Sequence, residues 1–309
     1  MTTSDTPHAD SNIRAIVLMT ASMVLFAIDD AAIKLAGTFA EGAAATPGEI
    51  VMIKGVLGGL VYGALMLREG VRPTASFLKA LTTDRLIAAR TFGDLIAAMA
   101  IITGLTLLPI SELSAILQVQ PLVITLGAAL FLKETVGWRR WTAIVVGFIG
   151  VMIIIRPSGE GYGVDLIWAF LGVIGLATRD LVTRRVKVHF STFAIVTYVA
   201  VLLIPLGLGM HLAMETEPLF DGLAPAAWAY IIGGGIFGMA GYYAITLSLR
   251  LGEISAVAPY RYTRLVAALI LGFFIFGEIP DLGMILGSVL VIGAGLFTLY
   301  RERKLTKPR

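Results

Sequence analysis

The chain has 309 residues, of which 57% are hydrophobic and 15% charged, with mean hydropathy +0.87 and a net charge of +3. Soluble domains carry about 25% charged residues, so this composition excludes a water-soluble globule and makes lipid the main solvent. The absence of cysteine removes disulfides, thiolate metal sites and cysteine nucleophiles. His8, His189 and His211 are too scattered to read as a metal-ligand cluster.

In chain order, the polar residues 1–13 read as a disordered segment. Ten apolar stretches follow, near residues 14–36, 47–66, 87–107, 111–132, 138–155, 164–183, 191–210, 224–247, 254–276 and 281–300. Each approaches the length of about 20 residues that a spanning helix needs. None alternates with period two, which argues against a membrane β-barrel. The first stretch is too long for a signal-peptide core and reads as an uncleaved helix. Residues 71–86 form a weakly amphipathic linker suited to the membrane surface.

Charge sets the orientation. With the amino terminus inside, Arg14, Arg68, Arg72, Lys79, Arg85, Lys133, Arg139, Arg140, Arg185, Lys187, Arg250 and the basic tail 301–309 all fall on the cytoplasmic side. The opposite side holds Arg156. This positive-inside bias places both termini in the cytoplasm of a cell whose inner membrane the chain crosses many times.

The two halves are related. SELSAILQVQPLVITLGAALFLKE (111–134) aligns with SAVAPYRYTRLVAALILGFFIFGE (255–278) at an offset of 144. IDDAAIK (28–34) aligns with TRDLVTR (178–184) at an offset of 150, matching Asp30 with Asp180 and Lys34 with Arg184. Five spans per half is an odd number, so the second half (164–300) crosses in the opposite sense to the first (14–157). The expected fold is an all-α membrane protein of ten transmembrane helices in two inverted repeats, an architecture recurrent among secondary transporters.

These halves, closed by ALFLKE and FFIFGE, resemble the EamA-type members of the drug/metabolite transporter superfamily. The resemblance covers residues 14–300. It implies transport of a small metabolite, such as an amino acid or a vitamin like riboflavin, with efflux of amino acids or toxic compounds as the alternative. It also implies a central cavity lined by helices 1, 3, 4, 6, 8 and 9, with helices 5 and 10 peripheral.

Ionisable groups inside spans cost about 2.5–3.5 kcal/mol each on insertion scales and mark candidate function. Asp29, Asp30, Lys34, Arg179, Asp180 and Arg184 are the candidate gating or coupling residues. Pairs four apart, Asp30–Lys34, Arg90–Asp94 and Asp180–Arg184, share a helix face. They also fit plain ion pairs near helix ends. In the ninth span Tyr260, Arg261, Tyr262 and Arg264 follow Pro259, and in the fourth Gln118 and Gln120 precede Pro121. Polar groups at an interrupted helix point to a substrate site. With Asp94, Tyr242 and Tyr243 they form the candidate substrate-binding set. Paired arginines suit a carboxylate or ring carbonyls.

GGGIFG (233–238) matches a dinucleotide pattern but lies inside a span, so close helix packing through Gly234 and Gly238 is the expectation. The glycines at 55, 59, 63, 283 and 287 suit packing within the chain or a homodimer contact. No P-loop, H-E-x-x-H or G-x-S-x-G is present, so no cofactor, metal or nucleic-acid partner is expected. An intramembrane enzyme or a channel is the distant alternative. The expected partners are the bilayer and a small-molecule substrate, with the chain a monomer or homodimer.

Overall fold

The computed structural model describes residues 6–38, 44–73, 79, 82–131, 137–155, 163–183, 191–214, 218–251 and 257–306. Every regular element among them is helical. The order is α1 (Thr6–Thr38), α2 (Pro47–Arg68), α3 (Arg85–Leu107), α4 (Ile110–Leu117), α5 (Gln120–Phe131), α6 (Trp138–Ile155), a 3-10 turn (Gly163–Asp165) leading into α7 (Leu166–Thr183), α8 (Thr192–Met214), α9 (Pro225–Leu251), a 3-10 turn (Ala258–Tyr262) leading into α10 (Thr263–Phe276), and α11 (Leu282–Thr306).

Eight segments are long and apolar enough to cross a membrane, and two more, Trp141–Ile155 and Leu282–Thr298, are shorter apolar helices. Together they occupy the ten apolar stretches of the sequence. At the start of the described residues α1 takes in 6–13, its Thr6–Pro7 opening suiting a first helical turn.

The fourth apolar stretch is not one helix. α4 ends where Gln118 and Val119 donate to the carbonyls of Ala115 and Ile116, and α5 begins just before Pro121. Proline has no N–H to continue the ladder. The ninth stretch likewise enters through a 3-10 turn containing Pro259.

Helices pack in pairs: α1 with α9, α2 with α8, α3 with α7, and α6 with α11; α10 lies against α1, and α5 against α7. Exchanging the first five apolar stretches for the second five turns α1–α9 into α7–α3 and α1–α10 into α7–α5. The α2–α8 and α6–α11 pairs map onto themselves. Glycines let three of these pairs touch backbone to backbone. A Cβ on Gly48 would lie 2.7 Å from the carbonyl oxygen of Gly207, one on Gly93 2.8 Å from that of Gly175, and one on Gly150 2.8 Å from that of Gly287. Without a hydrophobic force between helices in lipid, such close approach supplies the packing energy. Gly55 packs on α8 in this way, whereas Gly59 and Gly63 meet only side-chain methyls at ordinary distance.

Candidate functional site

Apart from Glu49, the charged side chains buried in the helical body fall into three groups. In the first, Asp29 and Asp30 leave α1 on adjacent positions about 100° apart and take different partners. Lys54 of α2 donates to both oxygens of Asp29 at 2.5 and 2.7 Å. Arg264 of α10 donates to Asp30 through Nε at 2.9 Å and Nη2 at 2.8 and 2.7 Å. The Arg264 guanidinium also lies over the Phe26 ring, 5.5 Å from its centre.

The second group joins α3, α5, α7 and the turn before α10. Arg90 donates to Asp94 at 2.7 Å, the pair expected from spacing four. Arg179 lies 3.6 Å from Asp94 and donates to Asp180 at 2.8 Å. Gln120 donates to the other Asp180 oxygen at 2.7 Å, and Arg261 stands 3.8 Å from it. Acids and bases alternate, so each buried charge has an opposite neighbour, which is the condition for tolerating it in low dielectric.

The third group closes one end of the bundle. Glu278, just past α10, accepts from the backbone N–H groups of Ile110 and Ser111 at 2.9 and 3.0 Å. These are among the first, otherwise unpaired donors of α4, and a carboxylate there also meets the positive end of the helix dipole. Lys34 lies 3.9 Å from Glu278 and donates to the Leu108 carbonyl at 2.6 Å. Gly277, with φ of 66°, turns the chain so that Glu278 can reach across. Gly272 leaves the space that the Ser111 hydroxyl and the Glu278 carboxylate fill.

The expected Asp30–Lys34 pair is therefore not the one formed. Asp30 pairs with Arg264 instead of Lys34, because the forked guanidinium satisfies both carboxylate oxygens while Lys34 is drawn to Glu278 and Leu108. Asp180 is held by Arg179, Gln120 and Arg261; Arg184 lies outside the described residues. Arg261 and Arg264, three positions apart, go to different acids in different groups.

The aromatic residues separate as well. Tyr242 faces Tyr62 edge-on at 5.6 Å, and Tyr62 stacks on Phe193 at 6.5 Å. Tyr243 is half-exposed on the outer side of α9, away from that cluster. Tyr262 is buried with its hydroxyl against Gly295 of α11 and no hydrogen-bond partner. Tyr260 is partly exposed, and Gln118 is buried at the break between α4 and α5.

A cavity of about 210 Å³ lies between α1, α2, α8 and α9, with Phe26, Asp29, Lys54, Tyr62, Gly238 and Tyr242 in its wall. It is offset from the place the family resemblance implies, since α2 and α8, the second and seventh apolar stretches, help to wall it. Gly234 and Gly238 do serve close packing, as the spacing predicts, and more specifically make room for Asp29: a Cβ on Gly238 would overlap its carboxylate. Among the described residues no cluster of three or more His, Cys, Asp or Glu is placed to hold a metal.

Sequence reasoning passed over Lys54, Tyr62 and Glu278 as site residues. Lys54 was legible as an ionisable group inside a span, and Glu278 as the residue that closes the second repeat. Tyr62 carried no signal beyond being polar at its tip. Glu49, also ionisable within a span, has a structural explanation. It forms a capping box with Thr46 and accepts from the Phe220 N–H at 2.6 Å.

The EamA-like transporter family model matches residues 13–156 and again 164–300. The S-adenosylmethionine uptake transporter of Rickettsia bellii is 31% identical over 205 residues, covering 65% of this chain and 67% of that one. The riboflavin transporter of Vibrio cholerae is 26% identical over 243 residues, covering 75% and 80%. The pseudopaline exporter of Pseudomonas aeruginosa is 25% identical over 274 residues, covering 85% and 90%. A solved crystal structure superposes with a TM-score of 0.62 at 17% identity, covering 96% of this chain and 99% of that one, a likeness of fold alone. With its many apolar helices and a family match over both halves, this is a multi-pass membrane protein, and the chain belongs to the EamA-like transporter family.

Proposed function

We propose that this protein is a secondary transporter that moves a small polar metabolite across the bacterial inner membrane by alternating access, and is not an enzyme. The architecture proposed with it is ten spans in two inverted repeats with both termini cytoplasmic. The symmetric helix pairing supports this reading, as does the positive-inside bias.

The observation that carries it is a matched pair of contacts. At offsets of 150 and 144, Asp30 corresponds to Asp180 and Arg264 to Gln120. Arg264 is bonded to Asp30, and Gln120 to Asp180. Matched positions thus meet twice, each time between the first span of one half and the fourth span of the other, as a guanidinium–carboxylate fork in one case and an amide–carboxylate bond in the other. Inverted repeats place the two copies toward opposite membrane faces, where one can open as the other closes. Neither a channel nor an intramembrane enzyme requires such duplication. Relatives named for uptake of S-adenosylmethionine and riboflavin, and for export of pseudopaline, support a polar metabolite as cargo.

The test is counterflow in proteoliposomes with labelled riboflavin, S-adenosylmethionine and an amino-acid mixture in parallel. Exchange of one class is expected, reduced at least tenfold in the Asp30→Asn/Arg264→Gln double variant. No exchange of any class across a wider metabolite panel would overturn the reading.

A further inference from the structure

We propose that a groove between the cytoplasmic halves of α2 and α8 binds an anionic phospholipid, with one acyl chain along the groove and the phosphate at Arg68 and Arg72. The inference goes beyond the transport reading and takes from it only which end of α2 faces the cytoplasm.

The groove arises from uneven packing of two antiparallel helices. Over the first half of α2 the backbones touch. A Cβ on Gly48 would lie 2.7 Å from the Gly207 carbonyl oxygen, and one on Gly55 2.9 Å from that of Ala200. The contact then slackens. The nearest atoms to a Cβ on Gly59 or Gly63 would be methyls of Val201 and Thr197, at 3.7 and 3.6 Å. Where the helices part, a groove of about 460 Å³ remains, walled by Leu60, Gly63, Leu67, Pro73, Tyr198 and Val201. That volume falls within the range of about 300–1,000 Å³ found for small-ligand sites. Leu60, Leu67 and Val201 are exposed, so the groove opens sideways toward the lipid.

Length and charge select the occupant. From Gly59 to Leu67 the α2 wall rises about 12 Å, at 1.5 Å per residue. One leaflet of a hydrocarbon core about 30 Å thick is about 15 Å deep. The groove therefore runs from near the middle of α2 to its cytoplasmic end, the depth of one acyl chain. A helix of a second copy lying along it would need the other half too, and there Gly48 and Gly55 bring α2 and α8 together. At the mouth α2 ends on Gly70, whose φ is 79°, with the Gly70 and Val71 N–H groups donating to the carbonyls of Leu67 and Met66 at 3.0 and 3.2 Å. This turn carries Pro73 into the groove wall and Arg72 beside it. Arg68 continues the row of Leu60 and Ala64 at spacing four. Both arginines are exposed, and among the described residues neither has an ion pair. Glu69, between them in sequence, accepts from the Ser191 hydroxyl. Two unpaired guanidinium forks above an apolar groove complement a lipid phosphate above its acyl chain.

The test uses the full-length protein in phosphatidylcholine nanodiscs carrying a trace of spin-labelled phosphatidylglycerol, with spin-labelled phosphatidylcholine as the uncharged control. The label sits deep on the acyl chain, and the motionally restricted part of its spectrum reads the lipid held by the protein. Restriction of phosphatidylglycerol is expected to exceed that of phosphatidylcholine by at least about threefold. Arg68→Gln/Arg72→Gln should bring the ratio close to unity. Arg14→Gln/Arg139→Gln, which removes the same charge elsewhere on the cytoplasmic side, should leave it unchanged. Ala64→Phe, which fills the groove and keeps both arginines, should lower it, with each variant checked for monodispersity. Glycerol phosphate added to the buffer should not displace the label. Equal restriction of the two lipids, equal loss in both arginine variants, or an unchanged ratio in Ala64→Phe would overturn the proposal. So would displacement by glycerol phosphate, which would make the arginines a site for free phosphate. A dimer in the nanodisc that Ala64→Phe splits would also overturn it, because a second copy would then fill the groove.

Discussion

Arg264 and Asp30 lie 234 positions apart and are joined by three hydrogen bonds of 2.7 to 2.9 Å that tie the ninth apolar stretch to the first. Asp30 is almost wholly buried, at 4% exposure. Removing only the arginine would leave a carboxylate stranded in low dielectric. Arg264→Ala is therefore expected to lower unfolding free energy in mixed micelles by about 3–5 kcal/mol. Arg264→Lys should recover only part of it, because a single ammonium cannot reproduce the fork. The Asp30→Asn/Arg264→Gln double variant should be closer to wild type than Arg264→Ala. Equal stability of all four proteins would show that the pair carries no structural weight.

Much of the fold could be read from composition and period, since spans are long and lipid demands uniformity. The matched positions Asp30 and Asp180, and the repeat containing Gln120 and Arg264, were visible as an alignment. The partners were not. Spacing four suggested Asp30–Lys34, but a local pair competes with every cation that tertiary packing brings near, and Arg264 offers a better fork. Lys54 could be counted as a charge within a span without any hint that α2 would turn it toward Asp29. The break at Gln118 and the entry turn at Pro259 were legible because proline acts locally. That Tyr262 would face Gly295 and not the polar groups depends on the rotation of a helix, which no single-chain pattern sets.

The glycine contacts predict a sharp contrast among substitutions that look alike. Gly175→Ala would place a Cβ 2.6 Å from the Ala97 nitrogen and 2.8 Å from the Gly93 oxygen, and backbone cannot yield cheaply. Gly63→Ala meets only a Thr197 methyl at 3.6 Å. The first should lower the melting temperature of the purified protein by several degrees, as expected for overpacking of about 1–3 kcal/mol. The second should leave it unchanged. Indistinguishable melting curves would contradict the α3–α7 packing.

Glu278 holds two donors at the start of α4 from the opposite half of the chain. Glu278→Ala should cost about 0.5–2 kcal/mol as a lost cap. Glu278→Gln keeps an acceptor oxygen but loses the attraction to Lys34 and should cost less than Glu278→Ala. Denaturant unfolding in micelles reads both. An alanine variant as stable as wild type would show that Glu278 is not a cap.

The Tyr262 hydroxyl is buried without a hydrogen-bond partner. Removing an unsatisfied polar atom is neutral or favourable, so Tyr262→Phe should match or exceed wild-type stability by up to about 1 kcal/mol and retain counterflow. Loss of transport with stability intact would return Tyr262 to the substrate site.

Alternating access is the claim on which the account stands, and the cysteine-free chain allows a direct test. Ser111, beside Glu278, and Thr91, beside Arg90, are buried, and neither hydroxyl has a hydrogen-bond partner, so Ser111→Cys and Thr91→Cys are mild probes at the two ends of the charge system. Each single-cysteine protein would be labelled by a small water-soluble thiol reagent in membranes, with and without the substrate that counterflow identifies. The account predicts that substrate shifts the two labelling rates in opposite directions. Rates that rise or fall together, or do not change, would contradict it.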